Sequence, residues 1–165
     1  MENLTETLTI AATPEQVFAV LADPATHPAI DGTGWVREAV DRAPLTEVGQ
    51  LFRMDMYHGR HPDSDYQVIN KVELIDEPHR IGWQVGTRKA DGELEFGGWL
   101  WRYDLTAVDA GTEVLLTYDW SGVPRFIRDR GIQFPPFPPE HLTNSLRHLA
   151  ELTTRAPSAR TAASA

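Results

Sequence analysis

Alternation between apolar and polar positions is the dominant pattern along the chain up to Trp120. In the segment 4–11, Leu4, Leu8 and Ile10 alternate with threonines, as in a strand with one buried face. The later segments of this kind are bounded by residues typical of turns. They predict strands at residues 35–40, 50–58, 66–75, 80–87, 98–108 and 112–120. Because no helical pattern separates them, we expect an antiparallel meander.

Helical periodicity occurs near the two ends of this strand-rich region. Thr13 followed by Pro14 predicts the start of a short helix, which Asp23-Pro24 should end, and residues 24–30 predict a second short helix interrupted at Pro28. The last element is an amphipathic helix at residues 140–153. Its leucine stripe needs an apolar surface to cover it. We therefore expect an α+β fold in which a curved antiparallel sheet of six or seven strands wraps around this helix and encloses a cavity.

The predicted inner faces of the strands are rich in aromatic residues. In the segment 98–108, for example, Trp99, Trp101 and Tyr103 share one face. Bulky rings with polar tips suit a partly hydrated cavity better than a solid core. The alternative is that the rings simply fill the concave side of the sheet. Two polar residues, Asn70 and His58, also fall on inner faces and need a partner, water or a ligand there.

Composition restricts the classes of function. The chain has 165 residues and a formal net charge of −9, with no run of Lys or Arg, which argues against nucleic acid or membrane as a partner. It lacks cysteine, a secretory signal pattern and any stretch of about 18 apolar residues. We expect a single cytoplasmic domain at residues 1–155, a disordered tail at 156–165, and either a monomer or a homodimer.

Motifs for catalysis or cofactor binding are weak. The turn 58–65 contains two His and two Asp, but their spacing matches no standard metal site, and we predict neither a metal nor a cofactor. Acid/base chemistry would fall to inward residues such as His58, Tyr118 and His141. Asp31 lies in a Gly-rich turn, where aspartate is usually a turn former.

Five segments of the chain together resemble the SRPBCC superfamily, more narrowly its polyketide cyclase/dehydratase-like members. They are TPEQVFAVLADPATHP (13–28), VGQLFRM (48–54), DEPHRIGW (76–83), WRYDLTAVDAGTEVLLTYDWSG (101–122) and HLTNSLRHLAEL (141–152). The resemblance extends over residues 3–154. It implies the helix-grip fold of START domains and birch-pollen-type allergens, with a hydrophobic small molecule between sheet and helix. Since the family has no universal catalytic signature, no active-site residue is transferred.

Three hypotheses of function follow. The first is binding of an aromatic, polyketide-, sterol- or lipid-like molecule. Whether the connector 123–139 opens as a gate is left open by the sequence, because its prolines restrict it while Gly131 offers a hinge. The predicted ligand-binding residues are Trp35, Met54, Met56, Tyr66, Trp83, Trp99, Trp101, Tyr103, Trp120, Phe137, His141, Leu142, Ser145 and Leu146. The second is a cyclase or dehydratase in which His58 acts with Asn70 or Tyr118. The third is a protein-partner module with a filled core.

Overall fold

The structure is a computed structural model and describes residues 1–155; the expected disorder of the tail 156–165 lies outside that range. One antiparallel sheet in the order β1-β7-β6-β5-β4-β3-β2 forms its frame. The strands are β1 (Asn3–Ile10), β2 (Val36–Ala39), β3 (Leu51–Tyr57), β4 (Asp65–Asp76), β5 (Arg80–Arg88), β6 (Leu94–Val108) and β7 (Gly111–Asp119). Strands β2 to β7 follow one another as the predicted meander, and β1 closes the sheet beside β7.

The sheet curls into a half-barrel, which confirms the predicted fold class. Register shifts interrupt the β2–β3, β4–β5 and β5–β6 ladders. An irregularity of this kind bends a strand and increases its local twist. The largest one lies in β6. There Gly98 has φ +87°, and its backbone packs closely against the carbonyl group of Gly122. Strand β6 begins at Leu94, earlier than the predicted residue 98, and at Gly98 it lies against Gly122 and Val123, where the connector starts.

The helices are short except for the last. They are α1 (Pro14–Leu21), α2 (His27–Ile30), α3 (Arg125–Arg128) and α4 (Glu140–Thr154), with a 3-10 turn at Pro24–Thr26. Thr13 caps α1 reciprocally with Gln16, as its sequence predicts. The expected interruption at Pro28 is wrong, because Pro28 lies in the first turn of α2, where its missing N–H is not needed. The sequence pattern did not predict α3.

Helix α4 lies on the concave side of the sheet and contacts β1, β7, α1 and α2. Its Leu142, Leu146 and Leu149 are almost fully buried, which confirms the predicted stripe. Full burial of each leucine contributes about 1.5–3 kcal/mol. This packing fixes the position of the first turn of α4, which carries His141. None of the helices within residues 1–155 is both long and apolar enough to cross a membrane.

Candidate functional site

The ring of Phe137 is in contact with four other rings on the inner side of the half-barrel. Its centroid lies 4.5 Å from that of His141, 4.9 Å from Tyr118, 5.5 Å from Trp101 and 6.5 Å from Trp35. We call these four surrounding residues the ring cage. They come from α4, β7, β6 and the segment before β2, four parts of the chain that are far apart in sequence. Phe137 itself is only 7% exposed.

Phe137 belongs to the connector, residues 123–139, and not to the sheet or to α4. Proline pairs at 135–136 and 138–139 flank it and prevent regular secondary structure in this segment. Phe134 packs on Trp99 with a centroid distance of 5.9 Å, while Phe137 stacks on Trp101. Two phenyl rings therefore anchor the connector on two neighbouring inward positions of β6.

A second group of rings adjoins the cage. His27 stacks on Trp83 at 4.8 Å and meets the edge of Phe52 at 5.6 Å, and Trp83 lies 6.0 Å from Tyr103. His27 Nε2 is 2.8 Å from the carbonyl oxygen of Leu21, which satisfies one polar atom of a buried imidazole. Trp83 and Trp101 are cross-strand partners, so this group and the cage form one continuous aromatic surface.

An acid and a base meet at the edge of the cage. His141 Nε2 lies 4.0 Å from Asp31 Oδ1, and both side chains are only 7% exposed. Asp31 follows directly after α2, and its carboxylate accepts hydrogen bonds from the backbone N–H groups of Thr33 and Val36 and from the Thr33 hydroxyl. These bonds hold the carboxylate in place.

Gly32 allows His141 to approach this loop. A Cβ atom at position 32 would lie 2.8 Å from His141 Nδ1 and 2.5 Å from the His141 carbonyl oxygen, both too close for a side chain. His141 Nδ1 is buried and has no hydrogen-bond partner in the described part of the chain. Buried polar atoms usually find a partner, so this nitrogen is an uncommon feature.

Burial controls the ionisation of the site. It lowers the pKa of His141, an effect that the negative charge of Asp31 partly opposes, and it lowers the pKa of His27. Burial also raises the pKa of Tyr118 and of Tyr103 far above the usual range, and the Asp31 charge adds to the increase at Tyr103. At neutral pH the site thus combines neutral imidazoles and phenols with one ionised carboxylate.

The lowered pKa of His141 predicts a loss of stability in mild acid. Above pH 6.5 His141 is neutral in both states and has no effect, whereas below that pH the unfolded state binds a proton that the folded state resists. We expect the free energy of unfolding to fall between pH 7 and pH 5, by at most about 1.4 kcal/mol per pH unit for one histidine. Urea denaturation at several pH values measures this slope.

The substitution His141→Gln should make that slope shallower. His79→Gln is the matched control, because His79 lies exposed beside β5 and touches no part of the cage. The explanation is wrong if the wild type and His141→Gln lose stability in parallel as the pH falls.

The predicted catalytic residues lie at different places. His58 follows β3, with its ring edge-on to Trp35 at 4.5 Å and its Nδ1 accepting the N–H of Arg60. Asn70 is buried on the inner face of β4, and its Oδ1 has no partner in the described residues. The β3 partner of Asn70 is Phe52, six residues from His58, which puts His58 and Asn70 roughly 20 Å apart. The structure therefore does not bring that pair together.

Tyr118 lies in the cage. The rings of Trp35 and Phe137 lie between Tyr118 and His58. Four of the predicted ligand-binding residues, Trp35, Trp101, Phe137 and His141, meet at the cage, and Trp99 anchors Phe134. Others are buried around the cage and the second ring group. These are Met54, Trp83, Tyr103, Trp120, Leu142, Ser145 and Leu146.

Met56 and Tyr66 are partly buried against the core and also line an open groove of about 530 Å³ along β2, β3 and β4. Five of the seven residues that line this groove are polar or charged. A second concavity, of about 150 Å³, lies between β1 and α4. Both are open to solvent. At the place of the expected internal cavity, the structure has the contacting rings of the cage.

Sequence reasoning underrated Asp31. The Asp-Gly-Thr-Gly run predicts a turn, and Asp31 does form one with Thr33. Nothing in the sequence links this turn to His141, which lies far along the chain. Within residues 1–155, no three His, Asp or Glu side chains converge in a way that could hold a metal ion.

Comparison with known proteins places this chain in a wider group. The family described as polyketide cyclase / dehydrase and lipid transport matches residues 1–150. Among solved structures, protein CV1439 from Chromobacterium violaceum superimposes with a TM-score of 0.64 at 16% identity, covering 94% of this chain and 100% of that one. Protein Ms6760 from Mycobacterium smegmatis has a TM-score of 0.62 at 20% identity, covering 92% and 90%. These two likenesses concern the fold alone. No curated protein matches the chain.

Proposed function

The chain belongs to the polyketide cyclase / dehydrase and lipid transport family, and from that premise we propose that it binds a flat, ring-bearing hydrophobic small molecule in the ring cage, in the place that Phe137 occupies in this structure. The observation that carries the proposal is the position of Phe137. Four rings surround it, and it is supplied by a proline-rich connector. A ring of the ligand would make the same contacts after Phe137 has moved out.

The connector is suited to such a movement because few contacts other than those of the Phe134 and Phe137 rings hold it in place. Within the described residues, no backbone N–H of residues 132–137 donates a hydrogen bond. Gly131 has φ +80° with open space around its Cα, which permits a hinge at that position. Withdrawal of residues 132–138 would therefore break mainly the contacts of Phe134 and Phe137. Pairs of aromatic rings contribute about 0.5–1.5 kcal/mol each beyond area burial, and a ligand ring replaces them.

The two ends of the connector are firmly attached. Arg128 donates to the carbonyl oxygens of Val123 and Trp120, both at 2.9 Å, and pairs with Glu2 at 2.8 Å. These bonds fasten α3 to the end of β7 and to the N-terminal strand. At the other end, α4 is held by its buried leucines. Movement should therefore be confined to the residues between Gly131 and the start of α4.

The polar groups of the cage also suit a ring compound. The Tyr118 phenol is protonated at neutral pH, as an ordinary phenol is, and burial raises its pKa further, so it can donate a hydrogen bond to a hydroxyl or carbonyl group of the ligand. A cyclase or dehydratase activity would require an acid/base pair at the cage. Asp31 and His141, 4.0 Å apart at its edge, are such a pair, whereas the predicted pair of His58 and Asn70 is too widely separated to act together.

Fluorine NMR tests the displacement of Phe137 directly. We would place 4-fluorophenylalanine at position 137 in one sample and at position 126 in another, and titrate each with 2-naphthol, a neutral sterol and an anthraquinone. At least one compound should move the signal of position 137 saturably toward the shift of the unfolded chain. The signal of position 126 should stay fixed, because Phe126 is 53% exposed and lies outside the cage.

Two results would contradict the proposal. Saturable binding that leaves the signal of position 137 unchanged would put the ligand elsewhere. Absence of binding by all three compounds, with the chain folded, would favour a filled core and the protein-partner hypothesis.

A further inference from the structure

The interior of the half-barrel contains a negative charge and, within residues 1–155, no buried Lys or Arg to balance it. The buried polar side chains within that range are His, Asn, Ser or Thr. The carboxylate of Asp31 is nevertheless shielded from solvent, with a side-chain exposure of 7%. Its nearest cationic candidate is His141, at 4.0 Å. Because burial lowers the pKa of His141, that ring is neutral at pH 7 and leaves the carboxylate without a counter-ion.

The side chain of His141 links this carboxylate to the rest of the ring cage. The His141 ring lies 4.5 Å from Phe137 and meets Trp101 edge-on at 5.4 Å. The charge of Asp31 also contributes to the raised pKa of Tyr66 and of Tyr103, so its potential extends across the interior. The donors of Asp31 all lie within residues 33–36, and the Thr33 hydroxyl is 2.9 and 3.0 Å from its two oxygens, so each oxygen has two donors in range. The attraction of a ligand cation by Asp31 therefore depends on its charge and not on a free acceptor position.

Negative potential and aromatic faces favour the same kind of ligand group. The faces of Trp and Tyr rings attract ammonium groups, and a buried carboxylate attracts them more strongly. A carboxylate or phosphate group would be repelled by Asp31 and would find no buried cation among the described residues. We propose that the ligand of the cage is a ring compound bearing an amine, with its ammonium group directed at Asp31 and His141. This inference rests on the proposed function, because Phe137 must leave the cage first.

A series of ligands with one ring system tests the inference on the wild-type chain. The compounds are 2-(2-naphthyl)ethylamine, 2-(2-naphthyl)ethanol and 2-naphthylacetic acid, measured by isothermal titration calorimetry at pH 7.5. We expect the amine to bind at least about tenfold more tightly than the alcohol, since the charges of the ammonium group and of Asp31 attract each other more strongly inside a protein than in water. The acid should bind most weakly.

The outcomes separate the inference from the proposed function. Equal affinities, or tightest binding by the acid, would overturn the amine preference and leave the cage as the binding site. Absence of binding by all three compounds would overturn both. Because this series needs no substitution, it does not depend on how a variant folds.

Two variants complete the test. Asp31→Asn removes the charge and keeps the size of the side chain, but its amide nitrogen cannot accept one of the two backbone N–H bonds, so urea denaturation first checks that the variant is folded. In the folded variant we expect the amine to lose its advantage while the affinity for the alcohol changes less than threefold. Glu6→Gln is the matched control, since Glu6 lies on β1 beside Thr143 and away from the cage. An unchanged preference for the amine in Asp31→Asn, or the same loss in Glu6→Gln, would show that Asp31 is not the residue recognised.

Discussion

Replacing Phe137 with alanine should lower the free energy of unfolding by about 3 kcal/mol and also strengthen the binding of ring compounds. Truncation of a buried Phe typically costs about 3–5 kcal/mol, and the low end applies because the connector can partly collapse into the space. The same truncation removes the side chain that a ligand must displace. If the contacts of Phe137 amount to about 3 kcal/mol, affinity should rise by up to about 100-fold. Urea denaturation and calorimetry measure the two effects.

Phe126→Ala is the matched control for this prediction. Phe126 has the same side chain and also belongs to the connector, but it is largely exposed. Its truncation should change stability by less than about 0.5 kcal/mol and leave affinity unchanged. A Phe137→Ala variant that is destabilised but binds ring compounds no better than the wild type would identify Phe137 as an ordinary core residue.

Replacing Gly98 with alanine should be among the most damaging substitutions outside the core. Gly98 has φ +87°, which any L side chain adopts with strain, and its Cβ would lie 2.3 Å from the carbonyl oxygen of Gly122. The strain costs about 1–2 kcal/mol and the clash about 1–3 kcal/mol more. We expect a loss of at least about 3 kcal/mol in the free energy of unfolding, because the clash is between backbone segments that cannot rotate away.

Gly92→Ala separates the two contributions. Gly92 has nearly the same angle, φ +90°, but no atom lies within 4 Å of its Cβ position. Its substitution should cost only the strain of the backbone, about 1–2 kcal/mol. Equal losses in the two variants would show that the approach of β6 to Gly122 does not contribute to stability. A larger loss at position 98 would mark this contact as the point that sets where the connector leaves the sheet.

The contacting rings of the interior are compatible with both alternatives that the sequence left open, a ligand site and a concave side of the sheet filled by the rings. A solid core and an occupied ligand site would both bring these rings into contact. The difference lies in how the central ring is held. Core rings such as Phe52 and Trp83 project from hydrogen-bonded strands, whereas Phe137 projects from a segment whose N–H groups donate to no described residue. This difference is why we favour a ligand site.

Local and periodic features were readable from the sequence. The seven strands, the Thr13 cap of α1 and the leucine stripe of α4 were all predicted close to their observed bounds, because alternation and capping act over a few residues. The inward assignment of Trp101 and Tyr118 followed from the same alternation. Helix α3 was missed since its four residues carry no periodic pattern.

What the sequence by itself determined is the kind of surface: an antiparallel sheet with an aromatic inner face and one apolar helix to cover it. Only the tertiary structure decided that Phe137 fills the ring cage and that Asp31 lies 4.0 Å from His141. Those contacts depend on the curvature of the sheet, on the bulge at Gly98 and on the path of the connector. Each of these arises from packing between residues far apart in the chain, whose separation no local pattern encodes.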